Sequence, residues 1–240
     1  EPLDGRAGGR PWTEVEPRPA SPMALTAFVP ELPERGVLVV AEGAARADAD
    51  AAVRLAESAG WPLLSEPIGN ARRGPNAIST YSLLLAGASF AAAHRPELVV
   101  TVGKPGLSRS LLNWLRTADR QIVVDPWPDW VDPTRSAARV VPAVPTLGVG
   151  HQQEAAARPA TDWLTRWRQA EASARAAVDA VLDGTDRLTE PGLARVVGRA
   201  GGPAARQERR WGGERRGMAT RRKKVLGFCW GFRPTVCRPK

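Results

Sequence analysis

The pattern of this chain predicts a doubly wound α/β domain, a parallel sheet with helices on both faces, followed by two helices and a disordered basic tail. Three observations predict it. Short runs such as GVLVV, LVVTV and QIVV recur with helical stretches between them, and strands this uniformly apolar are buried on both faces, as a helix-covered parallel sheet requires. After the last such run the period lengthens to that of amphipathic helices. Beyond Ala200 the composition breaks: residues 201–240 hold 12 of the 34 Lys+Arg and 2 of the 25 Asp+Glu, a net of +10, while the first 200 residues carry −1.

Residues 1–34 are rich in Pro, Gly and charge, which reads as a linker crossing a surface with Trp12 as its anchor. GVLVVAEGA (Gly36 to Ala44) is a strand and a small-residue turn. Asp48 to Ala59 is helical, with Ala49, Ala52, Val53 and Ala56 on its apolar face and Gly60 placed to end it. WPLLSEP (Trp61 to Pro67) supplies the next buried strand. After the polar loop IGNARRGPNAIS, one helical stretch is expected from Tyr81 to Ala93, then a strand over Glu97 to Gly103. SRSLLNWLR forms a helix, Arg120 to Pro126 a strand, and Ala137 to Pro145 the last strand. The central domain therefore spans 35–145, with right-handed crossovers.

Residues 146–160 form a second linker. A helix then starts at Thr161 or Asp162, and its Trp163, Trp167, Ala170, Ala174, Ala177 and Val181 make one seam that needs a partner. Thr189 caps a further helix with Pro191 in its first turn and Leu193, Val196 and Val197 expected inward. The helices of 161–200 bury too little alone to be a domain. They read as the opening of one whose body lies elsewhere.

The composition excludes several function classes. A hydrophobic fraction of 43% supports a real core. No apolar run approaches the ~20 residues of a membrane span, and EPLDGRAGGR is no signal peptide, so a cytoplasmic location is expected. The first residue is Glu1 rather than Met, so a start partway through a longer protein is expected. Cys229 and Cys237, spaced C-x7-C without matching histidines, fit neither a disulfide framework nor a zinc site.

In an open parallel sheet ligands gather at the carboxyl ends of the strands. The turn AEGAARAD lacks G-x-G-x-x-G, and no G-x-x-x-x-G-K-[ST] occurs, so dinucleotide and P-loop binding lack their usual support. GASFA (Gly87 to Ala91) faintly echoes a nucleophile elbow but falls within a helical stretch, where small residues serve helix contacts. His94 stands at a helix end in a capping or surface role, and His151 lies in a Gly-rich linker. Asp125, Asp129 and Asp132 belong to a turn-rich loop that Asx turns explain without a metal, and Trp127 and Trp130 there suit packing against a neighbouring domain. The best candidate is TVGKPGLSRS (Thr101 to Ser110). Gly103 and Gly106 permit close backbone approach, and Lys104 and Arg109 bring cations to a helix start, where an anion would offset the unfavourable dipole. Side chains that simply point to water are the alternative for both.

The ordered set GRPWT, GVLVVAEGA, WPLLSEPIGNAR, ELVVTVGKPGLSRSLLNWL, IVVDPWPDWVDPTRSA, DWLTRW and LTEPGLARVV resembles the MenD family, the 2-succinyl-5-enolpyruvyl-6-hydroxy-3-cyclohexene-1-carboxylate synthases of menaquinone biosynthesis, over residues 1–199. The resemblance implies a thiamine diphosphate-dependent transferase that also uses Mg²⁺ or manganese. Its reaction decarboxylates 2-oxoglutarate and adds the succinyl group to isochorismate, in a homo-oligomer (dimer or tetramer). Three α/β domains are implied, of which this chain holds the linker leaving the first, the central domain and the opening helices of the third. The activating glutamate and the G-D-G…N motif for metal and diphosphate belong to the other two. A basic residue matching Arg109 is implied to reach the substrate carboxylates, whereas Lys104 matches no such position; no catalytic and no metal residue is implied here. The chain alone is therefore expected to be inactive. GGPAARQERRWGGERRGMATRRKK departs from the family, and a shifted reading frame is the expectation for this non-native tail. The alternative is a polyanion-binding protein in which the tail's basic residues, with Trp211, Phe228, Trp230 and Phe232, grip nucleic acid or an anionic membrane. Neither specific nucleic-acid recognition nor a membrane span is expected.

Overall fold

The computed structural model describes residues 23–126, 132–147 and 161–200. Five strands, β1 (Gly36–Val40), β2 (Leu63–Ser65), β3 (Leu98–Val102), β4 (Arg120–Val124) and β5 (Arg139–Val141), form one sheet in the order β2-β1-β3-β4-β5. Every pairing is parallel, with Leu38 between Leu63 and Val100, Val100 opposite Ile122, and Val124 opposite Val141. The doubly wound prediction holds.

The period of two along each strand sorts the core into two layers. Leu38, Val40, Leu63, Val100, Val102, Ile122 and Val124 face one layer; Val37, Val39, Leu64 and Val99 face the other. The first layer is covered by α1 (Arg46–Ala59), which buries Ala49, Ala52, Leu55 and Ala56. Gly60 ends α1 in the left-handed conformation with φ 69°, and its N–H reaches the carbonyls of Ala56 and Glu57. The expected linkers contribute here too. A short 3₁₀ turn at Leu25–Ala27 fully buries Leu25, and Leu25 and Met23 bracket Thr146 with backbone hydrogen bonds of 2.6 and 2.9 Å. Leu25, Val29 and Leu147 thus belong to the core although they flank the expected 35–145 span. Trp12 and the rest of the first linker lie outside the described residues.

The second layer is covered by α2 (Tyr81–Leu84), α3 (Ala88–Ala93), α4 (Arg109–Leu115) and the first half of α5 (Asp162–Asp183). Tyr81 to Ala93 is two helices rather than the single one expected. Leu85 ends the first, and Gly87, in an extended conformation, begins the second. The seam of α5 finds its partner in the sheet: Trp163 and Trp167 are fully buried against Val37, Val39 and Val99, and the Trp163 indole N–H donates to the Gly36 carbonyl at 3.0 Å. The seam's later members Ala177 and Val181 are exposed.

His94 closes α3 as a cap, but it is buried within the aromatic cluster rather than lying at the surface. It stacks on Phe90 at 3.8 Å, with Trp167 edge-on at 5.2 Å. Its Nδ1 lies 2.9 Å from the Phe90 carbonyl, which can only accept, so Nδ1 carries the proton. Burial pushes its pKa below the ordinary histidine value against that hydrogen bond, and the Arg166 charge adds to the depression.

One buried carboxylate ties α5 to the start of α2. Glu171 accepts the N–H of Thr80 at 2.8 Å and its hydroxyl at 2.5 Å, and pairs with Arg175 at 2.6 Å. Burial works to raise its pKa, but the Thr80 and Arg175 contacts outweigh this and hold it below the usual carboxylate value. A depressed folded pKa contributes stability above the unfolded value that is lost as pH falls through the folded one. Glu171→Gln is therefore expected to cost about 1–3 kcal/mol near neutral pH. In urea titrations the gap should close as the pH falls below the ordinary glutamate value of 4.5 and through the lower folded one. A gap that is independent of pH would contradict the assignment.

The following helix, α6 (Glu190–Ala200), is capped as expected: the Thr189 hydroxyl accepts the Gly192 N–H at 3.2 Å. The expectation that Leu193, Val196 and Val197 point inward fails, since they are 49%, 59% and 61% exposed. Among the described residues nothing covers that face. The tail after Ala200, with Cys229 and Cys237, lies outside the described residues, as do His151, Asp129, Trp127 and Trp130.

Candidate functional site

The strand order puts a topological switch between β1 and β3, where the chain leaves β1 towards one edge of the sheet and β3 towards the other. Loops diverge there and leave a crevice at the carboxyl ends. The structure has a cleft of about 200 Å³ at this place, lined by Glu42, Asp48, Gly103, Lys104 and Asp125 among others. A larger hollow of about 390 Å³ runs along the second half of α1 beside Pro145 and Leu147, away from these loops. The functional case rests on the switch-point loops.

The β1 and β3 loops are joined by backbone. The Lys104 N–H donates to the Glu42 carbonyl at 2.8 Å, and the Gly103 N–H to the Val124 carbonyl at 3.2 Å. Gly103 has φ 77°, and a side chain there would collide with the Glu42 carbonyl. Its need for glycine thus comes from the neighbouring loop, not from a ligand as the sequence suggested. Gly106 faces open space and meets no such constraint.

The two predicted cations part company. Lys104 is exposed and lines the cleft together with the acidic residues Glu42, Asp48 and Asp125. Burial raises the pKa of Asp48, the direction of a carboxyl short of favourable contacts. Walls of this charge do not suit a carboxylate or a diphosphate. Arg109 lies beyond the cleft as the first residue of α4, exposed and without an ion pair among the described residues. Ser108 caps that helix, its hydroxyl accepting the Leu111 N–H at 3.2 Å.

The loop that precedes Arg109 has an anchor that went unread in the sequence. Glu66, at the end of β2, is fully buried, and its Oε1 accepts the N–H of Gly106 at 3.2 Å and of Leu107 at 2.9 Å. Its Oε2 is buried with no hydrogen-bond partner. The signal in the sequence was a glutamate inside WPLLSEP, the stretch expected to be a buried strand. Its charge also joins burial in raising the pKa of Tyr81, against the Arg72 guanidinium, which lowers it.

The remaining candidates are structural. Asp132 accepts the N–H groups of Thr134 at 3.0 Å and Ala137 at 2.8 Å, which is the turn chemistry expected of it. Burial acts to raise its pKa, and these bonds with the Thr134 hydroxyl lower it overall. Asp125 is buried at the end of β4, its N–H bonded to the Val141 carbonyl. Ser89 of the GASFA segment is exposed on α3, while the nearby His94 is engaged in the aromatic cluster. No group of three metal-capable side chains converges among the described residues.

This fold and this site can be set beside known proteins. A family described as "Middle domain of thiamine pyrophosphate" matches residues 6–204. The chain belongs to this family. Curated relatives of the middle domain carry the name 2-succinyl-5-enolpyruvyl-6-hydroxy-3-cyclohexene-1-carboxylate synthase. The protein of Thermobifida fusca is 47% identical over 217 residues, covering 81% of this chain and 35% of that protein. That of Saccharopolyspora erythraea is 36% identical over 76% of this chain and 30% of its own length, and that of a Nocardioides species 42% identical over 64% and 28%. This middle domain therefore spans about a third of the relatives it matches. The family read from the order of segments is the family found, and its α/β architecture agrees with the five-stranded parallel sheet. No helix among the described residues is long and apolar enough to cross a membrane.

Proposed function

We propose that this chain is the central part of a menaquinone-pathway synthase that decarboxylates 2-oxoglutarate and adds the succinyl unit to isochorismate. It contributes scaffold and one substrate-binding side chain. The observation that carries the reading is Arg109, an exposed arginine without an ion pair among the described residues, on a capped helix start in a chain similar to these synthases. A guanidinium engages a carboxylate by two parallel charge-assisted hydrogen bonds, and both substrates carry carboxylates. Lys104, among acidic neighbours, is left outside this role.

In this reading the described residues do not hold thiamine diphosphate or its Mg²⁺, and no group of three metal-capable side chains converges among them for the metal. The cleft at the switch point is walled by Glu42, Asp48 and Asp125, which repel a diphosphate. We assign the cofactor to the parts of the full-length relatives that this chain does not match, and the homo-oligomer with them. The domain scheme follows: a linker, a central domain, a second linker, and helices that open the next domain. The first half of α5 is already committed to the central sheet through Trp163 and Trp167, and the described residues 182–200 belong to a separate unit.

Titration of the isotopically labelled chain with 2-oxoglutarate tests the reading. Isolated from the rest of its site, Arg109 is expected to bind at about 1 mM or more weakly. The Arg109 Nε–H resonance should shift saturably, and Arg109→Ala should abolish the binding. Binding that persists in the variant, or no shift in the unaltered chain, would contradict the role.

A second reading is favoured by the charge of the tail, 12 Lys+Arg against 2 Asp+Glu in residues 201–240. Under it the chain binds polyanions. Deletion after Ala200 should then abolish a salt-sensitive, sequence-blind affinity for nucleic acid. A preference for one sequence would raise this reading above a non-selective charge effect.

A further inference from the structure

We infer that Glu66 is the positioning residue for Arg109: its buried carboxylate anchors the β3–α4 loop and so sets where the guanidinium starts from the sheet. The inference rests on the reading of Arg109 as a substrate-binding side chain.

The β3–α4 loop has little packing of its own. Leu107 is 62% exposed, Gly106 faces open space, and Pro105 is the buried residue between Lys104 and Ser108. Beyond the backbone bonds of Gly103 to Val124 and of Lys104 to Glu42, its hydrogen bonds to the body among the described residues run to a single atom, Glu66 Oε1, which takes the N–H groups of Gly106 and Leu107. Two residues after the second of those amides comes Arg109.

Glu66 is itself rigidly placed. Its N–H donates to the Val40 carbonyl at 2.8 Å, which extends the β1–β2 ladder past Ser65. The anchor therefore hangs from the sheet rather than from another loop. A charged acceptor serving two amides is stronger than a neutral one. A buried carboxylate with one oxygen unpartnered is costly, and the two amide bonds taken by the other oxygen offset that cost. Function-bearing side chains keep their geometry when a second layer of hydrogen bonds locks their support.

The test compares the full chain with Glu66→Ala and Glu66→Gln by amide hydrogen exchange and by the 2-oxoglutarate titration read at Arg109. Glu66→Ala is expected to speed exchange at Gly106 and Leu107 about tenfold and to weaken 2-oxoglutarate binding about fivefold or more, while the core amides of Val99 and Val100 keep their protection. Glu66→Gln retains a carbonyl acceptor and should fall between. This rescue, with the unchanged core, separates positioning from a general loss of stability. Should Glu66→Ala fail to fold, Glu66→Gln alone decides: faster exchange confined to Gly106 and Leu107 supports the anchor, and unchanged exchange overturns it. Loosened amides with unaltered 2-oxoglutarate affinity would also overturn it, because the loop would then not govern Arg109. An unaltered chain that ignores 2-oxoglutarate sinks the reading of Arg109 itself, while the exchange data still judge the anchor.

Discussion

Replacing Trp163 with alanine is expected to remove about 3–5 kcal/mol of stability and to lower the melting temperature by on the order of 10 °C. The indole is fully buried between the sheet and Trp167, with ring centroids 5.9 Å apart at 77°. It also supplies the hydrogen bond to the Gly36 carbonyl. Truncation leaves a cavity on the second layer of the core and an unpaired carbonyl at the start of β1. Arg168 and Glu171 would still bind Asn76 and Thr80, so the helix should loosen from its amino end first. Urea unfolding of the variant measures the effect. A loss below about 1 kcal/mol would show that α5 is not part of this core.

Gly103→Ala is the second large effect, at about 2–5 kcal/mol. The left-handed backbone costs a side-chain-bearing residue about 1–2 kcal/mol, and forced overpacking against the Glu42 carbonyl adds about 1–3 kcal/mol. The collision is with backbone, so no rotamer relieves it. Relief comes by opening the Glu42–Lys104 bridge, which widens the switch-point cleft and disturbs the loop leading to Arg109. Denaturant midpoints read the stability loss, and the Lys104 amide resonance reads the opening. A variant of unaltered stability would mean the two loops are not joined as described.

Strands β1 to β4 were legible in the sequence because each is a short run of residues buried on both faces, a pattern that a surface helix does not share, whereas β5 buries only Val141. The ends of α1 and α6 were legible through local chemistry at Gly60 and Thr189. What was not legible depends on contacts distant in sequence. The seam of α5 named its residues but not its partner, because periodicity gives a face and not what covers it. His94 was read as a cap, which it is, but its burial comes from tryptophans far along the chain. The break at Leu85 to Gly87 was hidden by the alanines and leucines that flank it, although Gly87 itself is a poor helix former.

The site divides in the same way. Arg109 was visible as a cation at a helix start, and the structure places it there, exposed. Lys104 stood in the same loop but lines a cleft rich in acidic residues. Glu66 was invisible because its partners are backbone amides of a loop on another strand, and no spacing rule connects them. Gly103 was read for a ligand, and what it accommodates is the next loop.

Incubation of the purified 240-residue chain with thiamine diphosphate, Mg²⁺, 2-oxoglutarate and isochorismate tests most directly whether this stretch is scaffold and substrate arginine without coenzyme machinery. The account predicts no decarboxylation of 2-oxoglutarate and no coupled product, although the same sample unfolds cooperatively as a folded α/β unit. Cofactor-dependent product from this chain alone would contradict it.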